Sequence, residues 1–322
     1  MTDVAVEGLR ALCLALDLPA EQAAPVAAIR VGGPCPPSLA PRLQRGKAII
    51  VRGGHDLTGR PLAPLDLSSV RRFAADCGLT DFAVTATGSP VLADHELQVA
   101  AAIADEVPGA RITLSYEYGR CGLREREQWA IGNAALCPYA AHLADQAARR
   151  FPHLPLYFCR TDDGLVSAHY FRRYPLSCAE GATAALHRGL QALTDRQALT
   201  DQQTLTDRQT LPGQRSPHEL GAPLRVQRGA LHGTAWPTPE QAAAFGAPLT
   251  APMAAVERIV RARGTAELDN AVADAQDEAL ARVISAGAAP GSAHIAATAV
   301  NPLSYLPDGL YRLRISARGA TP

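Results

Sequence analysis

A mixed-sheet α/β domain with flanking helices is the fold class this sequence predicts. Three observations point to it. A chain of 322 residues has room for a sizeable core. Strand-like apolar runs alternate with helical spacing from residue 48 to 160. A long alanine-rich helical stretch closes that alternation.

Taken in order, residues 48–52 (Ala-Ile-Ile-Val-Arg) read as a short buried strand ended by Gly53-Gly54. Residues 67–77 have helical spacing, with Asp66 placed to cap them. A strand is predicted over 82–87, a helix over 94–106 and a strand over 111–115. The alanine-rich helix covers 125–150, with Pro138 as a kink, and 156–159 is another strand. Upstream, residues 1–18 carry Asp3 and Glu7 and no basic segment, which reads as an amphipathic helix and not a signal peptide. Downstream, 251–263 and 267–286 read as helices, and 294–299 and 310–316 as strands.

Between these parts lies LTDRQALTDQQTLTDRQT, residues 193–210, one hexapeptide written three times. On an ideal helix a step of six residues is about 600°, so Leu193, Leu199 and Leu205 share no face. Composition then predicts a solvated, flexible tether, and a hexapeptide β-helix would need more turns to bury anything. Proline, glycine, arginine and glutamine continue the tether to residue 239. The predicted organisation is a core over 1–192, a repeat-containing flexible linker over 193–240, and helices and strands over 241–322 that pack on the core.

Zero net formal charge gives no electrostatic footprint for nucleic acid or an anionic membrane surface. No apolar run reaches the length of a membrane span. Seven scattered cysteines without a Cys-x-x-Cys argue against a zinc site or a secreted disulfide framework and predict reduced thiols in a cytoplasm. The nine histidines are dispersed without a His-x-x-x-His, so neither a metal nor a cofactor is expected.

Five blocks, in order, resemble the hydantoinase/oxoprolinase family, large-subunit (hydantoinase A) type. They are VRGGHDLTGRPLAPLD (51–66), SPVLADHE (89–96), ITLSYEYGRCGLREREQWAIGNAAL (112–136), PLYFCRTDDGLVSAHYFRRYP (155–175) and the tail at 277–319. The resemblance implies a hydantoinase A core. Members are similar to actin-like ATPases, which hold phosphate on Asp-Gly-Gly-Thr turns. No Asp-Gly-Gly and no Walker-type Gly-x-x-x-x-Gly-Lys occurs here, and the repeat stands where the second such turn is expected. The expectation is a core whose nucleotide-binding segments are deleted, and a chain that does not bind ATP by itself.

Arg52-Gly53-Gly54-His55 follows a strand end, where glycines let backbone approach a ligand, Arg52 offers an anion-binding fork and His55 can shuttle a proton. The bland alternative is a tight turn. Tyr116-Glu117 lies just past the strand at 111–115, with Glu117 a candidate general base or an ion-paired surface carboxylate. By resemblance, Glu125-Arg126-Glu127 matches the family's Glu-Arg-Glu, and Asn133 matches too; acidic residues in a first helical turn are also expected from the helix dipole. Arg160, Asp162 and Asp163 stand where the family has a neutral, amide-reading loop, which implies altered substrate choice or a mere Arg160–Asp162 surface pair. Cys159, at a strand end, is a weaker candidate nucleophile, and Arg172-Arg173 reads as solvent-facing. The candidates are therefore His55, Glu117 and Glu125 for catalysis, and Arg52, Gly53, Gly54, Tyr116, Asn133, Arg160, Asp162 and Asp163 for substrate binding.

The resulting expectation is ATP-independent C–N ring chemistry on a small amino-acid-like molecule in specialised metabolism. It is either closure on a pre-activated substrate or opening of a cyclic amide. The substrate would be anionic or carrier-tethered, and a second protein subunit is expected. The alternative is a non-catalytic scaffold subunit or a ligand-binding module that completes a partner's site.

Overall fold

The computed structural model describes residues 11–33, 35–36, 39–118, 122–162, 164–209, 238–304 and 309–321. The architecture is mixed α/β, with three sheets flanked by helices.

The first sheet is four-stranded and all parallel, in the order β3 (Gly46–Val51), β2 (Val26–Val31), β4 (Asp81–Ala86), β5 (Arg111–Leu114). Both central strands, β2 and β4, are buried at every residue, because helices cover both faces. Ala27, Ile29 and Val31 face α1 (Leu67–Cys77) and α2 (Asp94–Glu106) in one core. Val26 and Ala28 face the start of α3 (Leu123–Arg150) in another. The helix cap was legible: the Asp66 side chain accepts from the Ser69 amide, and Gly78 closes α1 in the left-handed conformation.

Helix α3 has 28 residues and is about 42 Å long at 1.5 Å per residue. Its first half packs on the first sheet, and Leu136, Ala140 and Ala144 pack on the second. Pro138 lies inside the helix, where the two cores meet. The second sheet pairs β1 (Leu12–Leu14) in parallel with β6 (Leu156–Cys159), and β6 with the antiparallel β7 (Leu165–Ser167). Helix α4 (Ala168–Arg173) follows, and the rings of Phe158 and Phe171 stack beneath it 3.9 Å apart. The third sheet, β8 (Met253–Arg261), β10 (Leu310–Arg318), β9 (His294–Pro302), is antiparallel and carries α7 (Thr265–Ser285) on one face.

Several expectations change. Residues 12–14 are a strand, not part of a helix: they add to β6, and the stretch predicted upstream, 1–10, lies outside the described residues. Strand β2 was not predicted at all, although it is the centre of the first sheet. Residues 253–261 form β8 and not a helix, because Ala254 and Val256 alternate into the core opposite Ala317 and Ile315.

The hexapeptide repeat also differs from a flexible tether. Helix α5 runs Gly181–Gln209, so the repeat through Gln209 continues a helix nucleated upstream. Adding residues to an existing helix is far easier than starting one, and leucine, arginine, glutamine and alanine all propagate well. The rest of the predicted linker, 210–237, lies outside the described residues. Asp17 fixes the start of α5 from β1's side of the fold, accepting from the amides of Ala182 (2.9 Å) and Thr183 (3.2 Å). Among the described residues, no helix is long and apolar enough to cross a membrane.

Helix α6 (Pro239–Gly246) crosses α5 at a glycine–glycine contact. A Cβ on Gly189 would lie 1.8 Å from the Ala242 carbonyl, and one on Gly246 would lie 1.9 Å from the Ala185 carbonyl. Gly189→Ala should therefore push the helices apart at a cost of about 1–3 kcal/mol. Amide exchange across 239–246 should speed up accordingly, and unchanged protection there would contradict the close crossing.

Candidate functional site

The C-terminal ends of parallel strands carry the loops in which α/β proteins place ligands. Two such loop regions matter here, and α2 holds both of them by neighbouring residues.

The first region contains Arg52, Gly53, Gly54 and His55. Gly53 and Gly54 have positive φ (142° and 88°), as only glycine tolerates well. What approaches them is protein. A Cβ on Gly53 would meet Val31 at 2.7 Å, and one on Gly54 would meet Thr87 at 3.0 Å. Gly88 in turn leaves room for the His55 carbonyl, which a Cβ there would meet at 2.3 Å. The glycines therefore let strand-end loops interpenetrate. The Gly54 amide donates to His95 Nδ1 (2.8 Å), and the His95 and His55 rings lie 4.0 Å apart, both buried. His55 Nδ1 is buried and has no partner among the described residues. Burial first, then the neighbouring His55, pushes the His95 pKa down, while Asp94 pulls it up. Arg52 is exposed.

The second region is the turn after β5. Glu96 is wholly buried and accepts from the amides of Ala86 (2.8 Å) and Tyr116 (3.1 Å) and the hydroxyl of Ser115 (2.6 Å). Arg126, buried in the first turn of α3, donates to the Ala86 carbonyl (2.9 Å), Ser89 (3.3 Å) and Ser115 (3.4 Å). Carboxylate and guanidinium are thus bridged by serine hydroxyls. Burial pushes the Glu96 carboxyl up, and the donated hydrogen bonds oppose that shift. The 3-10 turn Ser115–Tyr118 is held in place by this network and carries Glu117 into a cleft.

That cleft, about 460 Å³, forms where three parts of the fold meet. The end of β5 contributes Glu117 and Tyr118, and the start of α3 contributes Glu125 and Trp129. The end of β6 contributes Arg160 and Asp162, and α4 with the following turn contributes Tyr170, Tyr174 and Ser177. The third sheet turns the face away from α7 toward the cleft, with Glu257 of β8 and Arg312 and Arg314 of β10, joined by Arg282 from α7. Glu117 pairs with Arg173 (2.8 Å), and its carbonyl accepts from Arg282 (3.2 Å). Arg160, nearly buried, forms a two-pronged pair with Asp162 (2.5 and 2.6 Å). Glu257 pairs with both Arg312 and Arg314.

Of the predicted residues, Glu117, Glu125, Arg160 and Asp162 line this cleft. Arg52, Gly53, Gly54 and His55 do not line it. Tyr116 packs its ring against the first core and gives its amide to Glu96. Asn133 is buried and fully engaged: it donates to the Arg173 carbonyl (2.8 Å) and Thr113 (3.3 Å) and accepts from the Leu176 amide (3.3 Å), which ties α3 to the turn after α4. Asp163 lies outside the described residues. Cys159 is buried, and burial pushes its thiol up to about 11, which disfavours the thiolate at neutral pH. Arg173, read as solvent-facing, is exposed and is also the partner of Glu117.

Sequence reasoning missed the aromatic wall and the whole contribution of the third sheet. Tyr170 and Tyr174, four residues apart, fall on one side of the α4 region, which was a usable signal. Glu257 was hidden because 251–263 read as a helix, which conceals the strand face it shares with Arg314, its register partner. The Glu-Arg-Glu run splits three ways: Glu125 is at the cleft, Arg126 is in the serine network, and Glu127 pairs with Arg30 of β2 (2.7 Å). Among the described residues, no group of three His, Cys, Asp or Glu side chains is placed to hold a metal ion.

Two outcomes follow. Asn133→Ala should cost about 2–3 kcal/mol, the penalty for leaving buried backbone groups unpaired, read as a lower urea midpoint. His95, neutral in the fold with its pKa below the ordinary 6.5, contributes stability that is present above pH 6.5 and is lost as pH falls toward its depressed value. Urea midpoints at pH 5 and 7 should therefore differ less in His95→Gln than in the wild type; an equal difference in both would contradict the role of His95.

No family model and no curated protein matches this chain. Among solved structures, an ATP-dependent caprolactamase from Pseudomonas jessenii is similar over 53% of this chain and 29% of its own, at 13% identity and a TM-score of 0.45. This chain thus spans under a third of that enzyme's length.

Proposed function

We propose that this chain is an ATP-independent enzyme, or enzyme subunit, that makes or breaks a C–N ring bond in a small amino-acid-like molecule. The observation that carries the reading is the mixed charge of the cleft's lining. Glu117, Glu125, Asp162 and Glu257 line it together with Arg160, Arg282, Arg312 and Arg314. Side chains of both signs can meet the two charges of a zwitterion. The absence of Asp-Gly-Gly and Walker-type runs in the sequence supports chemistry driven by the reactant itself.

In ring closure, the Glu117 carboxylate takes a proton from the attacking amine. The C–N bond forms as the bond to the leaving group breaks, and the departing electron pair leaves as an anion beside the arginines. In ring opening, the same carboxylate takes a proton from water as the oxygen attacks the amide carbon, and the arginines face the developing oxyanion; as the oxyanion collapses the C–N bond breaks, and Glu117 returns the proton to the departing ring nitrogen. Arg173 holds the Glu117 side chain in position in both cases.

The test is turnover without ATP. Five-membered lactams, imides and hydantoins form one panel, and open amines bearing a sulfate or phosphate ester form the other, each followed by mass spectrometry. Glu117→Gln should lower kcat by about 10²–10⁴-fold with KM little moved. Strict dependence on Mg-ATP, or full activity in Glu117→Gln, would overturn the proposal. Tight binding without turnover would favour the ligand-binding module instead.

A further inference from the structure

The geometry points to one end of this cleft as a subsite for an ammonium group, the amine of the substrate. This inference rests on the reading of the cleft as the substrate site. The sequence has eight tyrosines and two tryptophans, and four of these residues line this one cavity: Tyr118, Trp129, Tyr170 and Tyr174. Tyr170 and Tyr174 also pack in the second core and Tyr118 packs against the core beside the start of α3, so the rings are held by the core while bordering the cavity.

Their arrangement is that of walls and not of a stack. The Tyr118 and Trp129 centroids are 6.2 Å apart with planes at 42°, and Tyr118 and Tyr174 are 6.4 Å apart, edge to face at 81°. Tyr170 lies 4.7 Å from Tyr174 and extends the wall. The face of an aromatic ring carries the negative part of its quadrupole and attracts a cation most strongly where water is excluded. Tyr174 already takes part in such a contact, with the Arg173 guanidinium 5.3 Å from its ring centroid. Glu117, which pairs with Arg173, and Glu125 line the same cleft as these rings and supply negative charge to it. The Tyr118 hydroxyl is buried without a hydrogen-bond partner among the described residues, so one acceptor is left for an incoming N–H. Burial, and then the charge of Glu117, raises the Tyr118 pKa, so this hydroxyl stays neutral.

A direct test uses two probes, tetramethylammonium and methylammonium, with tert-butanol as the neutral control. Binding is read from Trp129 fluorescence in a Trp236→Phe background, so that one tryptophan reports. Tetramethylammonium should quench saturably and bind at least tenfold more tightly than tert-butanol. Tyr118→Leu should weaken it at least tenfold. Tyr118→Phe, which keeps the ring, should leave tetramethylammonium unchanged and weaken methylammonium, the only one of the two cations with N–H groups to donate. If Tyr118→Leu fails to fold, the Tyr118→Phe contrast decides alone. Equal binding of tert-butanol, or equal effects of Tyr118→Phe on both cations, would overturn the inference. Because the readout is binding, its failure leaves ring chemistry at Glu117 standing, and loss of turnover would leave the ammonium subsite standing.

Discussion

A single buried carboxylate organises this molecule. Glu96, in the first turn of α2, reaches past the ends of β4 and β5 and accepts hydrogen bonds from both. Taking a carboxylate out of water costs several kcal/mol unless its oxygens are satisfied. Here donors meet it from Ala86, Ser115 and Tyr116, and the Arg126 guanidinium lies one serine away. Four elements, β4, β5, α2 and α3, are locked in register by groups that are expensive to separate. The preceding residue, His95, secures the loop after β3 through Gly54.

That constraint explains why the cleft forms where it does. With the Ser115–Tyr118 turn fixed, Glu117 and Tyr118 project past the sheet edge. Helix α3 runs on into the second core, which brings the end of β6 and its Arg160 to the same side. The third sheet then has a polar face with no helix on it, and this face closes the cleft. No one unit contains the site. Each supplies a wall, and acidic and basic side chains pair along those walls.

The first sheet and its helices were largely legible because strong local patterns agreed with tertiary structure. The cap of α1 and the apolar spacing of α1 and α2 place them to the residue, and the apolar run at 156–159 is a strand. Legibility failed where context overrode local pattern. Residues 253–261 are rich enough in alanine and charge to read as helix, yet they pair along their whole length with β10. The run at 26–31 is short and apolar, and only its two parallel neighbours make it a strand. At the site, the sequence identified chemistry-bearing loops but could not weigh them. The glycines at 53–54 looked made for a ligand and instead admit neighbouring protein backbone and side chains. Arg160 and Glu117 were legible as cleft-lining residues because strand ends are favoured positions, and the Arg160–Asp162 pair was local enough to read, whereas Arg173, the partner of Glu117, comes from a distant element with no shared motif.

The most direct test of the account is amide hydrogen exchange on Glu96→Ala. The amides of Ala86, at the end of β4, and Tyr116, in the turn after β5, should lose protection together by at least tenfold, while the third-sheet amides keep theirs. If both amides stay as protected as in the wild type, or only one changes, the carboxylate is not the element that ties the two strand ends together, and the placement of Glu117 needs another cause.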